Sequence, residues 1–222
     1  MPTINLLHLS SKKALQAALQ MAQVFPHIDF RREVTIGHLL LDIRSPAGVL
    51  AKVNPPIRPR EDVEFLWQKL LEGKVDWVVS DHACCRQETK AAKQAFGNIW
   101  LAKSGFGGTE YLLPALVSEG MKRGLSLNRI SALLSFNPAR RFGLNSKGDI
   151  AEGLDADLAL VDPRESWTVR ARESASTQGY TPFEGIELGA RVKATFLRGA
   201  LVCENGNPVG KPRGRYLHRP TA

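Results

Sequence analysis

The chain has 222 residues, 43% hydrophobic, 23% charged and 7% aromatic, long enough to bury one or two cores and unlike disordered, collagen-like or coiled-coil chains. Thirty Lys and Arg against 22 Asp and Glu give a formal charge of +8. Yet the basic residues are scattered apart from a tail (Lys211, Arg213, Arg215, Arg219), and no RNP, helix-turn-helix or finger motif accompanies them, so no nucleic-acid partner is expected. Three cysteines, two of them adjacent (Cys84, Cys85), make no disulfide framework and lack zinc-ribbon spacing. The apolar runs fall short of the ~18–20 residues of a membrane helix, and Met1–Asn5 lacks the basic and apolar regions of a leader. A cytoplasmic chain with no membrane partner is the expectation.

In chain order, Ile4–Ser10 reads as a buried strand ending in polar residues. Ser10 or Ser11 can cap a helix reaching about Phe25, in which Leu15, Ala18, Leu19 and Ala22 form one apolar face. A second strand is predicted over Phe30–Leu41, where Val34, Ile36 and His38 alternate with Thr35 and Gly37, and a third over Val49–Val53. The prolines of Asn54-Pro55-Pro56-Ile57-Arg58-Pro59 forbid helix and demand a stiff extended loop. A helix follows with Glu61 and Asp62 in its first turn, Val63, Leu66, Leu70 and Leu71 as its stripe, and Gly73 as its stop. Val75–His82 is a fourth strand. Further helices are predicted over Thr109–Arg123 and Asn128–Leu134, after the glycine-rich Ser104–Gly108. From about Gly148 short β runs take over (Leu158–Val161, Trp167–Arg170, Arg191–Val202), with a turn at Glu204–Asn207. Strands alternating with amphipathic helices argue for a parallel sheet over residues 1–147, followed by a β unit over 148–222.

His8, His38 and Asp81 stand at the ends of three predicted strands. The carboxyl ends of parallel strands converge on one rim, and two imidazoles with a carboxylate suit a divalent metal such as zinc. Cys84 and Cys85 could ligate or attack, although no base stands beside them in sequence, and small buried thiols are commoner. Gly107-Gly108 before a helix lacks the Lys-Ser/Thr of a phosphate loop, so turn chemistry or close backbone approach is the simpler reading.

The ordered motifs Leu7-His8-Leu9-Ser10-Ser11, Glu33-Val34-Thr35-Ile36-Gly37-His38-Leu39, Lys52-Val53-Asn54-Pro55-Pro56-Ile57-Arg58 and Ser80-Asp81-His82-Ala83 resemble the cyclic amidohydrolases, the family of dihydroorotase, allantoinase and hydantoinase/dihydropyrimidinase. The likeness continues through Phe136–Leu144, Lys147–Ile150, Gly153–Leu158 and Tyr180–Gly185. It implies an α/β fold, the C-terminal half (strands 5–8) of a metal-dependent (β/α)8 TIM barrel followed by a small β-sandwich segment. It further implies one or two divalent metals, usually zinc, held in part by His8, His38 and Asp81, with Asp81 as general base and Asn54 holding the ring amide of a small cyclic substrate. The family's His-x-His pair and carboxylated lysine have no counterpart in this sequence, so the expected partner is a missing N-terminal half or a second copy in a homo-oligomer. A non-catalytic truncated homologue or assembly subunit is the rival expectation. Where dihydroorotases commonly carry a histidine against the substrate carboxylate, this chain has Cys85.

Overall fold

The structure, a computed structural model, describes residues 1–219. The chain divides into two compact units: Met1–Leu112 with Thr168–Glu187, and Leu113–Trp167 with the residues from Leu188 onward. Compactness therefore cuts the chain differently from the change of secondary-structure character near Gly148.

The first unit is built on a three-stranded parallel sheet in the order β1 (Thr3–Leu6), β2 (Asp29–Thr35), β3 (Trp77–Val79). β1 pairs with the first half of β2, Thr3 opposite Asp29, and β3 pairs with the second half, Glu33 opposite Trp77. Helix α1 (Lys12–Val24) connects β1 to β2; the Ser11 hydroxyl accepts from the Ala14 amide at its start, and Leu15 and Ala18 are buried. Helix α3 (Arg60–Leu71) buries Val63, Leu66, Trp67 and Leu70, and the Trp67 indole donates to the Leu39 carbonyl at 2.8 Å. Glu61 and Asp62 lie in its first turn, where the helix dipole favours negative charge. Phe106 and Tyr111 meet Phe183 edge-on at centroid distances of 5.8 and 5.5 Å, which fixes the returning segment 168–187 within this unit.

Three sequence expectations are corrected here. The strand predicted over Phe30–Leu41 stops at Thr35, and Ile36–Leu40 is a short helix, α2. The Thr35 hydroxyl accepts from the His38 amide and caps that helix, so His38 lies in a helical turn beyond β2 rather than in the strand. The strand predicted over Val49–Val53 is a 3₁₀ turn, Gly48–Ala51. Its apolar residues pack against a small cluster of Ala91, Ala95 and Ala102 instead of a sheet. β3 is also shorter than Val75–His82, because Asp81 takes a left-handed backbone with φ 48°.

After β3 come a one-turn helix α4 (Gln87–Lys90), two 3₁₀ turns, and α5 (Thr109–Lys122), which contains Pro114. In the second unit, α6 (Leu127–Ser131) runs through a π turn into α7 (Asn137–Phe142), closed by Gly143 at φ 68°. A cap in this left-handed region suits glycine. Gly148, also at positive φ (91°), is required for a second reason: a Cβ there would stand 2.5 Å from that of Ala139. The strands β4 (Leu158–Asp162), β7 (Arg191–Leu197), β8 (Ala200–Glu204) and β9 (Asn207–Pro208) form one antiparallel sheet in that order. Two-residue strands β5 (Trp167–Thr168) and β6 (Glu187–Leu188) lie where the chain passes from one unit to the other. Among the described residues, no helix is long and apolar enough to cross a membrane.

Candidate active site at the carboxyl end of the parallel sheet

The residues singled out by sequence lie just beyond the carboxyl ends of β1, β2 and β3. His8 follows β1 with φ 39°, and Asp81 follows β3 with φ 48°. Both are left-handed positions that a non-glycine residue adopts only when its surroundings hold it there. For His8 the hold is visible: its amide donates to Oε1 of Glu33 at 3.1 Å, and the next amide, of Leu9, donates to the Glu33 carbonyl at 2.8 Å. The second oxygen of the Glu33 carboxylate accepts from the Trp77 indole at 2.8 Å. One carboxylate on β2 thus pins the exit of β1 and the start of β3.

His38 is the buried member of the group, 3% exposed. Its Nδ1 lies 2.7 Å from the Thr35 hydroxyl and its Nε2 lies 3.0 Å from the Pro55 carbonyl. The carbonyl can only accept, so Nε2 carries the hydrogen and Nδ1 accepts from the threonine hydroxyl. Burial pushes the imidazole below its ordinary range; the Pro55 carbonyl and the charge of Asp81 oppose that, while His8 and Arg58 reinforce it. His8, Arg58 and Asp81 are therefore within electrostatic reach of His38. Arg58 is steadied by a 3.3 Å bond from its Nε to the Ser10 hydroxyl. The His38–Pro55 bond also docks the proline loop, where the Asn54–Pro55 peptide is cis and Asn54 is exposed.

For a divalent metal, the residues offer part of what is needed. His8 has a buried Nδ1 with no hydrogen-bond partner among the described residues, and in the Nε2–H tautomer this atom presents a lone pair that can ligate. His38 has both ring nitrogens committed to hydrogen bonds. Among the described residues no three His, Cys, Asp or Glu side chains are grouped so as to hold a metal ion. The residues of this chain do not, by themselves, fit a metal.

Several side chains that organise this end of the sheet carry no sequence signal of their own. Glu33 and Thr35 look like the polar half of a strand alternation. The exposed His82 accepts at Nδ1 from the amides of Gly108 and Thr109, at 3.2 and 3.3 Å, and so caps α5. Lys90 reads as one more surface lysine and is instead wholly buried. Cys84 is exposed and Cys85 half-buried, both as free thiols. Burial, with Cys85 beside it, raises the Tyr180 phenol above its ordinary range, while burial pushes the Tyr111 phenol up to about 12. Gly107 makes a close backbone approach: a Cβ there would stand 2.8 Å from Oε1 of Gln178 and 3.0 Å from the His82 ring.

Known proteins give this arrangement its context. An allantoinase of Rubrobacter xylanophilus is 41% identical over 219 residues, covering 97% of this chain and 47% of the relative. An allantoinase of Salmonella gallinarum is 34% identical, with 96% and 47% covered. Among solved structures, the L-hydantoinase (dihydropyrimidinase) of Arthrobacter aurescens superposes with a TM-score of 0.86 at 30% identity, over 93% of this chain and 46% of that one. The D-hydantoinase (dihydropyrimidinase) of a Thermus species gives 0.84 at 30% identity, with the same coverage. The chain spans about half the length of the curated relatives it matches, 47% for both allantoinases, so its α/β unit has the fold of part of such a barrel. The amidohydrolase family profile matches residues 6–202, and with these relatives beside it, the chain belongs to the amidohydrolase family.

Proposed function

We propose that this chain is the carboxyl-terminal part of a cyclic amidohydrolase that opens a ring amide in a neutral cyclic ureide or hydantoin. The observation that carries the reading is the succession of His8, His38 and Asp81 just beyond the ends of three neighbouring parallel strands, in a chain 41% identical to an allantoinase over 97% of its length. In this reading Asp81, exposed just after β3, is the general base. It takes a proton from the water that attacks the ring carbonyl and returns one to the departing ring nitrogen. Asn54, presented by the proline loop, holds the ring amide through its side-chain donor and acceptor. A divalent metal, zinc on the chemistry of imidazole with carboxylate, would be held by His8 and Asp81 as part of a larger ligand set, which His38 would join only by giving up its bond to the Pro55 carbonyl or the Thr35 hydroxyl. That set is completed by residues outside this chain. The half-buried Cys85 thiol is a weak hydrogen-bond donor and no cation, which favours a neutral ring over the carboxylate-bearing dihydroorotate.

The test is ring opening of allantoin, hydantoin, dihydrouracil and dihydroorotate, with zinc present. The purified chain is assayed alone and mixed with the amino-terminal half of the Rubrobacter allantoinase. Little turnover by the chain alone, and turnover of the neutral rings by the mixture that Asp81→Ala abolishes, is the expected result. A kcat/KM favouring dihydroorotate, or full activity in Asp81→Ala, overturns it.

A second reading, a non-catalytic subunit that keeps the fold for assembly, is favoured by one observation: both nitrogens of His38 are tied up within the chain. It requires that zinc stay unbound in the mixed halves, which equilibrium dialysis measures directly.

A further inference from the structure

Lys90 is 0% exposed. Its Nζ lies 2.6 Å from the Lys52 carbonyl, 2.8 Å from that of Lys103 and 2.6 Å from that of Gly105. Among the described residues it makes no ion pair. Burying an ammonium is costly unless every N–H finds an acceptor. Here the three hydrogens of one ammonium meet three carbonyl oxygens that share its positive charge, the arrangement a small bound cation would occupy. The Phe106 ring adds a face 5.9 Å from the nitrogen.

The three carbonyls come from two different loops, and other bonds lace the same loops together. The Lys52 ammonium donates to the Ala102 carbonyl at 2.6 Å. The Gly105 amide donates to the Lys52 carbonyl at 3.1 Å, so that this oxygen accepts twice, and the Lys103 amide donates to the carbonyl of Lys90 itself at 3.0 Å. One step further, the Ala83 amide donates to the Phe106 carbonyl at 3.1 Å, reaching the segment that begins with Asp81. In the other direction Lys52 is two residues from Asn54, whose neighbour Pro55 holds His38. Gly105, at φ 93°, closes the packing: a Cβ there would stand 2.7 Å from that of Ala83.

We infer that Lys90 is an internal cation, a three-donor clamp that locks the 102–106 loop onto the 52–55 loop and so holds the segments carrying Asn54 and Asp81 in place at the carboxyl end of the sheet. The inference deepens the proposed function, since the segments it locks are those assigned there to substrate and proton transfer, but the lock itself needs no turnover to be measured. Lysine is required because its ammonium directs three hydrogens from one atom, whereas the planar fork of arginine cannot serve three carbonyls converging on a point.

Amide hydrogen exchange of the full chain tests the clamp. In Lys90→Met, which keeps the length and removes the charge, exchange at Ala83, Lys103 and Gly105 should quicken at least tenfold while the β2 amides keep their rates. Lys90→Arg should fail to restore protection. In Lys90→Ala, propylammonium should restore it and propanol should not. Unchanged loop protection in Lys90→Met, an equal rise at every amide, or equal rescue by the alcohol overturns the clamp. Should these variants not fold, the wild-type chain decides: reductive methylation should label Lys103 at the surface and spare Lys90. The Lys90 ammonium should also give a slowly exchanging nitrogen-15 resonance; labelling of Lys90 at the surface rate overturns the proposal. Mixed halves that fail to open a neutral ring while the loop amides respond as expected sink the proposed function alone, and turnover by the mixed halves without loop-specific exchange sinks the clamp alone.

Discussion

Glu33 occupies a strand position that alternation alone would assign to an ordinary polar residue, yet its two carboxylate oxygens serve the His8 amide and the Trp77 indole. Glu33→Ala removes the carboxylate that accepts from both groups at a partly buried junction, and should cost about 2 kcal/mol or more. Glu33→Gln keeps one acceptor oxygen and should cost less; urea unfolding followed by tryptophan fluorescence separates the two, and equal stability of all three proteins would remove Glu33 from its pinning role. In the second unit, Lys147 reaches Asp155 at 2.8 Å and also Asp157. The lysine holds the Asp155 carboxyl below its ordinary value of 3.8, and does the same for Asp157 against the opposing effect of burial. Carboxyls with depressed folded-state values add stability above the unfolded value and lose it as the pH falls through the folded one. Wild-type stability should therefore drop as the pH falls below about 4, and Lys147→Met, less stable at pH 7, should drop less over that interval. A parallel loss in both proteins would show that the cluster contributes nothing to acid sensitivity.

Among the elements, α1 was legible because two signals agree: Ser11 stands where a cap belongs, and Leu15 and Ala18 recur at helical spacing into the core. Ser11→Ala should cost about 1 kcal/mol, read as a lower unfolding midpoint with unchanged dependence on denaturant, and no loss would mean the Ser11–Ala14 bond is not formed in solution. The passage from β2 to α2 was misread because Val34, Ile36 and His38 keep a two-residue alternation across the boundary, and five residues of helix are too few to show a period. Thr35 decides the matter by turning its hydroxyl onto the His38 amide, a choice between cap and strand that local pattern leaves open. Residues 49–53 escape for a related reason: a short run of four apolar residues with Lys52 among them suits a strand or a packed turn equally, and the alanine cluster beneath it is assembled from residues some forty to fifty positions away. The positions of His8 and Asp81 beyond strand ends were readable, but their left-handed backbone and the carbonyl cage of Lys90 depend on long-range bonds that no sequence period encodes.

For the whole molecule, large apolar side chains are left at the surface around β1 and α1: Ile4 is 41% exposed, Leu7 51%, Val24 59% and Phe25 43%. Exposed apolar groups collected in this way usually mark a contact, so the chain should self-associate. Sedimentation velocity across a hundredfold concentration range should show a rising weight-average mass that Leu7→Asp lowers; a monomer throughout would exclude self-association. The register of the parallel sheet carries a further consequence. Because β1 is paired from Asp29 and β3 only from Glu33, the sheet climbs by four residues in crossing from one edge to the other, a rise of about 13 Å at ~3.3 Å per residue. That climb is shear, the offset by which a rolled sheet tilts its strands. A sheet sheared in one direction presents its two free edges at different heights, as the first and last steps of a spiral stair. A strand from elsewhere can dock on β1 only at the lower step and on β3 only at the upper one. Any chain that completes this sheet must therefore continue the same stair, and is selected by pitch before it is selected by side chain.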